Sequence, residues 1–173
     1  MASRIFTRPT AGRALASGSI SVATEHPATA IVDSLLNLVY PRWFRRPSTG
    51  RSVVVTCSVN EHHQIGAKMV ADIFEMHGWR SYFLGANTPL EDLLKLINEK
   101  KPTAAAFSLT LYFNIDALIG ALTRVRESHP TLPLLVGGQA FRWGGQARIT
   151  RIPGVLMPAK LDDLEAWIDA HCR

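Results

Sequence analysis

Short apolar runs alternate with amphipathic runs through most of the chain, and this alternation predicts its secondary structure. The apolar runs predict strands at residues 52–57, 80–84, 103–108, 132–136 and 154–157. The amphipathic runs predict helices at residues 64–77, 89–99, 115–128, 140–147 and 161–171. Strand–helix alternation is typical of a parallel sheet covered by helices on both faces. The pattern predicts an α/β fold: a flavodoxin-like, five-stranded parallel sheet of order 2-1-3-4-5 with right-handed crossovers.

A helical pattern of a different kind precedes the sheet. In residues 28–39 the apolar side chains, among them Ile31, Leu35 and Leu38, fall on one helical face. A shorter helix is predicted at residues 10–16. Two such helices bury little surface alone, so we expect them to pack on the later domain or on a second chain. The predicted domains are a short helical cap segment at 1–45, a linker at 46–51 and the sheet domain at 52–173.

Composition narrows the class of protein. Of 173 residues, 47% are hydrophobic, and no stretch approaches about 18 uninterrupted apolar residues, so no membrane-spanning helix is expected. The two cysteines, Cys57 and Cys172, give no disulfide framework, which fits a reducing, cytoplasmic setting. The net charge of +5 arises within the first 51 residues, which contain seven arginines and only two acidic residues. Such an N-terminal part fits a transit peptide, a patch for nucleic acid or an acidic protein, or ordinary solvated surface.

Three polar turns follow strands one, three and four of the predicted sheet. The first contains Glu61 and His63, the second is Ser108-Leu109-Thr110, and the third is Gly137-Gly138-Gln139. Because the carboxyl ends of parallel strands meet at one edge, these turns should rim one crevice. Each turn also has a simpler interpretation: solvated histidines at a helix start, a serine helix cap, and a tight glycine turn. Their shared position favours a ligand site, where hydroxyls bond a ligand nitrogen and glycines leave room.

The first turn reads Glu-x-His-x-x-Gly, from Glu61 through His63 to Gly66. It resembles the cobalamin-binding turn of corrinoid proteins. The resemblance implies that His63 is the lower axial ligand to cobalt and that Glu61 orients its imidazole, as a metal-bound histidine usually requires. The flanking positions His62, Gln64 and Ile65, with Gly66, would belong to the same cofactor-binding turn.

The wider chain is similar to the cobalamin domain of the CarH and LitR type of light-responsive transcription regulators. The resemblance covers about residues 11 to 170 and rests on these segments: 61–67, 82–90, Ser108, 137–139 and, for the helical cap, 18–26. It implies that His63 replaces the cofactor's own base. The nucleotide tail would then lie beside Ser108, Thr110, Gly137, Gly138 and Gln139, while Glu25 and His26 would face the upper ligand. The implied cofactor is adenosylcobalamin or methylcobalamin.

The chain departs from that family at the cap. The family has a tryptophan ten residues before its cap Glu-His pair, whereas this chain has Leu15 there, so a methyl group could replace adenosyl as upper ligand. The chain has room for about two of the usual four cap helices and lacks the family's helix-turn-helix. We therefore expect a shortened form or a stand-alone sensor that works through a protein partner or a homo-oligomer, without sequence-specific DNA binding of its own.

The resemblance implies a regulatory function rather than an enzymatic one. Light would break the cobalt–carbon bond of the bound cobalamin, and the cap would rearrange. The alternative is a corrinoid methyl carrier of a cobalamin-dependent methyltransferase system, which would use the same lower turn. A phosphoacceptor receiver is excluded because Ser108 stands where the acceptor aspartate is needed. A zinc site from Cys57, Glu61, His62 and His63 would have ligands too close in sequence for good tetrahedral geometry.

Overall fold

A computed structural model describes Pro27, residues 30–38 and residues 46–172. The chain divides after residue 43 into two units. In the N-terminal unit, residues 30–38 are helical, within the helix predicted at 28–39. Its apolar side chains Ile31, Leu35 and Leu38 are exposed. The helix predicted at 10–16 lies outside the described residues.

The second unit is a five-stranded parallel sheet flanked by helices. Its strands are β1 (Ser52–Cys57), β2 (Arg80–Gly85), β3 (Ala104–Ser108), β4 (Leu134–Gly137) and β5 (Val155–Leu156). Its α-helices are α1 (Ile65–Met76), α2 (Leu90–Lys100), α3 (Ile115–Ser128), α4 (Gln146–Ile149) and α5 (Leu161–Ala170). The strand order is β2-β1-β3-β4-β5, and every pair is parallel. The predicted fold class and strand order are confirmed.

The apolar runs form strands because the sheet is buried on both faces. Alternate residues of β1 enter different cores: Val54 packs with the residues of α2 and α3, while Val53 and Val55 pack with those of α1 and α5. In β3, Phe107 and Ala106 divide in the same way. Central strands of this kind read as continuous apolar runs rather than alternating ones, which is why the pattern is so clear in the sequence.

The predicted helix near 140–147 is interrupted in the structure. Residues Gln139–Trp143 form a 3-10 helix, and α4 follows at Gln146–Ile149. Gly144 and Gly145 separate them with φ angles of 114° and 85°, outside the helical region. The difference from the prediction is therefore caused by two backbone conformations that only glycine adopts readily.

Strand register brings the three polar turns to one edge of the sheet. Cys57 at the end of β1 pairs with Ser108 at the end of β3, and Ser108 pairs with Gly137 at the end of β4. The turns that follow these residues therefore leave the sheet at the same level. This is the crevice edge at which ligands of open α/β sheets bind.

Candidate functional site

The turn between β1 and α1 buries a carboxylate and exposes a histidine beside it. Glu61 has 0% of its surface exposed, whereas the side chain of His63 is 50% exposed. The backbone N–H of Glu61 donates to the carbonyl oxygen of Ser58 at 3.0 Å, which closes the turn. A buried glutamate requires compensating hydrogen bonds, because burial of an unpaired charge is costly.

Four N–H groups supply that compensation. Glu61 Oε1 accepts from the backbone N–H of His63 at 2.9 Å and lies 2.5 Å from His63 Nδ1. Glu61 Oε2 accepts from the backbone N–H groups of Thr110 and Leu111 at 2.8 and 2.9 Å. One carboxylate thus joins the turn after β1 to the turn after β3.

These contacts determine the charge of the carboxylate and the tautomer of the histidine. Burial alone would raise the pKa of Glu61, but the His63 side chain and the N–H groups of His63, Leu111 and Thr110 outweigh it and lower the pKa to about 2. An ionised carboxylate accepts hydrogen bonds only, so His63 Nδ1 is the donor. In the neutral imidazole the lone pair is then on Nε2, the nitrogen suited to bind a metal.

Two asparagines hold the residue before Glu61: Asn87 in the turn after β2, and Asn114 at the end of the 3-10 helix Tyr112–Asn114 that precedes α3. The backbone N–H of Asn60 donates to Oδ1 of Asn87 at 2.9 Å, and the side-chain amide of Asn114 donates to the carbonyl oxygen of Asn60 at 3.0 Å. The backbone N–H of Asn87 donates to the carbonyl oxygen of Glu61 at 3.0 Å. None of these asparagines was assigned a role from the sequence, and neither was Leu111.

Ser108 and Gly137 lie on the same face of the sheet. Since Ala106 packs in the core under α1 and α5, strand alternation directs the Ser108 side chain to that face as well. A Cβ at Gly137 would enter empty space: apart from its chain neighbours, no heavy atom lies within 4 Å of that position. The space beside Ser108 is therefore open. Ser108, Gly137 and this space form what we call the tail crevice.

The adjacent glycines Gly137 and Gly138 have different structural roles. A Cβ at Gly138 would come within 2.1 Å of the carbonyl oxygen of Leu109, and Gly138 has a φ angle of 122°. The backbone of Leu109 also accepts from Ala140 at 3.2 Å and donates to Gly137 at 3.0 Å. Gly138 therefore lets the turns after β3 and β4 pack together, whereas Gly137 faces open space.

The remaining predicted residues lie around this centre at different depths. His62, Gln64 and Gln139 are exposed, and Ile65 is half-buried. Oε1 of Gln64 is 2.9 Å from the position that a Cβ would occupy at Gly85, so the side chain of Gln64 lies over the end of β2. Gly66 faces open space at the start of α1. Leu15, Glu25 and His26 lie outside the described residues, and their assignment to the upper ligand stays a prediction.

Within residues 30–38 and 46–172, no group of three or more His, Cys, Asp or Glu side chains is arranged to hold a metal ion. Cys57 has its pKa raised to about 12 by burial and by the charge of Glu61, and its thiol lies 3.7 Å from the carbonyl oxygen of His63.

Comparison with known proteins relates this geometry to a family. The profile of the family described as B12 binding domain matches residues 51–153. The chain is 27% identical over 123 residues to the HTH-type transcriptional repressor CarA of Myxococcus xanthus, covering 71% of this chain. It is 30% identical over 128 residues to the HTH-type transcriptional repressor CarH of the same organism, covering 73% of this chain. In both cases it spans 42% of the relative's length.

Solved structures with low sequence identity share the fold. The methanol:cobalamin methyltransferase complex MtaBC of Methanosarcina barkeri matches with a TM-score of 0.65 and 18% identity over 92% of this chain and 61% of that chain. The monomethylamine corrinoid protein of Methanosarcina barkeri matches with a TM-score of 0.73 and 12% identity over 92% and 76%. The suspected resemblance to CarH-type cobalamin domains is confirmed by the family match and the two repressors.

Proposed function

Because this chain belongs to the B12-binding domain family, we propose that it binds cobalamin with His63 as the lower ligand to cobalt and acts as a regulatory sensor. The carrying observation is the hydrogen bond between buried, ionised Glu61 and Nδ1 of His63. This contact favours the tautomer in which the lone pair is on Nε2, the nitrogen that would bind the metal, and it would increase the basicity of that ligand. It also holds the imidazole at the crevice edge through only one of its two ring nitrogens.

The tail crevice supports the same cofactor. Coordination by His63 would displace the cofactor's own base, and the nucleotide tail would then need a polar but roomy site nearby. The hydroxyl of Ser108 supplies a hydrogen-bonding group, and Gly137 supplies space beside it. Thr110 presents its side chain from the loop whose N–H groups hold Glu61. Gly138 packs on the turn after β3 and so supports Gly137 from behind, while Gln139 and Gly66 are exposed nearby in the turn after β4 and at the start of α1.

We further propose a light-responsive regulator as the output class. Sequence similarity to two transcriptional repressors favours a regulatory protein that is not itself an enzyme. Bound adenosyl- or methylcobalamin would supply a light-sensitive cobalt–carbon bond. Glu25 and His26 would face the upper ligand, and the signal would pass to a protein partner or a second copy of the chain. A cytoplasmic location is part of this proposal. No helix in the described ranges is both long and apolar enough to cross a membrane.

A corrinoid methyl carrier is the second candidate. It would use Glu61, His63 and the tail crevice in the same way, and Leu15 in place of the family's tryptophan favours a small upper ligand. The two functions differ in what releases that ligand. A sensor loses it to light, whereas a carrier gives its methyl group to an acceptor in the dark with a partner enzyme.

Visible spectroscopy tests the proposal. The purified protein is mixed in the dark with adenosylcobalamin, methylcobalamin or aquocobalamin, and each spectrum is recorded before and after green light. A regulator of the proposed kind retains the cofactor on gel filtration, and the spectrum of an alkylcobalamin complex changes on illumination. Failure to retain any of the three cobalamins contradicts the proposal. Because free alkylcobalamins are photolysed too, gel filtration is repeated after illumination: a light-induced change in elution volume favours the regulator, and an unchanged elution volume favours the carrier.

A further inference from the structure

The backbone of Asn60, the residue before Glu61, is held at both its N–H and its carbonyl oxygen by side chains from elsewhere in the chain. Asn60 has a φ angle of 62°, in the left-handed region, which asparagine tolerates better than most residues. Its N–H donates to Oδ1 of Asn87, from the loop after β2, at 2.9 Å. Its carbonyl oxygen accepts from the side-chain amide of Asn114, after β3, at 3.0 Å. We call Asn87 and Asn114 the asparagine pair.

The asparagine pair is connected to its surroundings by burial and by a further hydrogen bond. Asn114 is 6% exposed, so its amide is shielded from competing water. Asn87 has a φ angle of 49°, and its N–H donates to the carbonyl oxygen of Glu61 at 3.0 Å. Both polar groups of the Asn60 backbone and the carbonyl of Glu61 are therefore fixed by residues far away in sequence. Little backbone freedom remains immediately before His63.

We propose that Asn87 and Asn114 are positioning residues for the axial histidine: they hold the Asn60–Glu61 backbone so that His63 remains bound to cobalt. This inference rests on the proposed function and extends it to residues that do not touch the metal. The carboxylate of Glu61 can orient His63 only if its own backbone is fixed, because a rotation at Asn60 moves the whole side chain. The asparagine pair restrains that rotation from two loops.

The chain offers substitutions that separate hydrogen bonding from backbone conformation. Asn87→Gly keeps a residue that adopts positive φ but removes the acceptor, whereas Asn87→Asp keeps the acceptor. Asn114→Ala removes the donor, and Asn114→Asp places a carboxylate oxygen against the carbonyl of Asn60. Asn98→Ala, at an exposed position near the end of α2, is the matched control.

The measurement is the fraction of bound cofactor that has histidine coordinated. The 173-residue chain with ¹⁵N-labelled histidine is loaded with cob(II)alamin, and its electron paramagnetic resonance spectrum is recorded. Coordination by ¹⁵N splits the cobalt signal into doublets, whereas the cofactor's own ¹⁴N base gives triplets. Loss of one hydrogen bond of this type should lower the ratio of coordinated to uncoordinated histidine about fivefold. We expect this decrease for Asn87→Gly, Asn114→Ala and Asn114→Asp, and wild-type ratios for Asn87→Asp and Asn98→Ala.

The outcomes separate this inference from the proposed function. If the wild-type protein shows doublets and the ratio is unchanged in Asn87→Gly and both Asn114 variants, the positioning role is overturned. His63 then remains the proposed ligand. Absence of doublets in the wild-type protein overturns both claims. Apo-protein unfolding in urea controls for a general loss of stability, which would lower the folded fraction without changing the coordination ratio of the bound cofactor.

Discussion

His63 Nδ1 lies 2.5 Å from Oε1 of Glu61, a carboxylate that is completely buried and ionised. The other oxygen of that carboxylate accepts from two N–H groups of the loop after β3. The orientation of one exposed histidine is therefore coupled to the packing of two loops. Substitutions at Glu61 should affect both the fold and the ligand site.

Replacement of Glu61 by glutamine is expected to destabilise the apo protein at about neutral pH by on the order of 3 kcal/mol, the scale implied by the lowered pKa of Glu61. The amide keeps one acceptor oxygen but directs an NH₂ group at a cluster of N–H donors. Urea unfolding of wild-type and Glu61→Gln proteins measures the difference. Glu91→Gln, at an exposed position of α2, is the matched control and should change stability little.

The effect of Glu61→Gln should depend on pH. The folded pKa of Glu61, about 2, lies below its ordinary value of 4.5, so the carboxylate stabilises the fold above about pH 4.5 and loses this contribution as pH falls towards 2. The stability gap between wild type and Glu61→Gln should narrow between about pH 5 and pH 3. A gap that stays constant over this range would show that the loss is steric rather than electrostatic.

Alanine at the two adjacent glycines should have opposite consequences. Gly138→Ala should lower the unfolding free energy by more than about 1 kcal/mol, because the φ angle is 122° and the new Cβ meets the carbonyl of Leu109. Gly137→Ala should leave the apo protein stable, because its Cβ enters the open tail crevice, but it should weaken cobalamin binding at least about fivefold by crowding the tail. Urea unfolding and equilibrium dialysis distinguish the two effects. Unchanged cobalamin binding by Gly137→Ala would show that the nucleotide tail does not occupy this crevice.

Tryptophan at Leu15 should increase the preference for adenosylcobalamin over methylcobalamin. His63 and the tail crevice contact parts that all cobalamins share, so discrimination must come from residues over the upper ligand. An aromatic stack on adenine contributes about 1 kcal/mol, which is about fivefold in the ratio of dissociation constants. Both constants are measured in the dark for wild type and Leu15→Trp. An unchanged ratio would mean that Leu15 does not lie over the ligand.

Specific DNA binding by this chain alone is not expected. The arginines before residue 52 would give contacts that weaken steeply with salt. Footprinting at about 0.15 M salt should show no sequence-dependent protection. A protected site under these conditions would contradict the prediction.

The fold and the contact between Glu61 and His63 could be predicted from sequence because their signals are local. The buried strands are continuous apolar runs, and Glu61, His63 and Gly66 are close enough to form one recognisable spacing. The asparagine pair could not be predicted in this way. Asn87 and Asn114 lie 27 and 54 residues from Asn60, and asparagine is common in turns for reasons of its own.

The packing role of Gly138 could not be predicted from the sequence either. The sequence indicates that Gly137-Gly138 leaves room at a strand end, but not for which atoms. In the structure the space at Gly138 accommodates the carbonyl of Leu109, and only Gly137 faces the crevice. That distinction depends on how two loops approach each other, which no local pattern encodes.

The most direct test of the account is coordination by His63. Wild-type, His63→Ala and His62→Ala proteins, the last a neighbouring exposed histidine, are loaded with methylcobalamin in the dark, and dissociation constants and visible spectra are compared. His63→Ala should bind at least about tenfold more weakly, with a spectrum of base-on or base-off cofactor, while His62→Ala should have only a mild effect and keep the wild-type spectrum. An unchanged affinity and spectrum in His63→Ala would contradict the account.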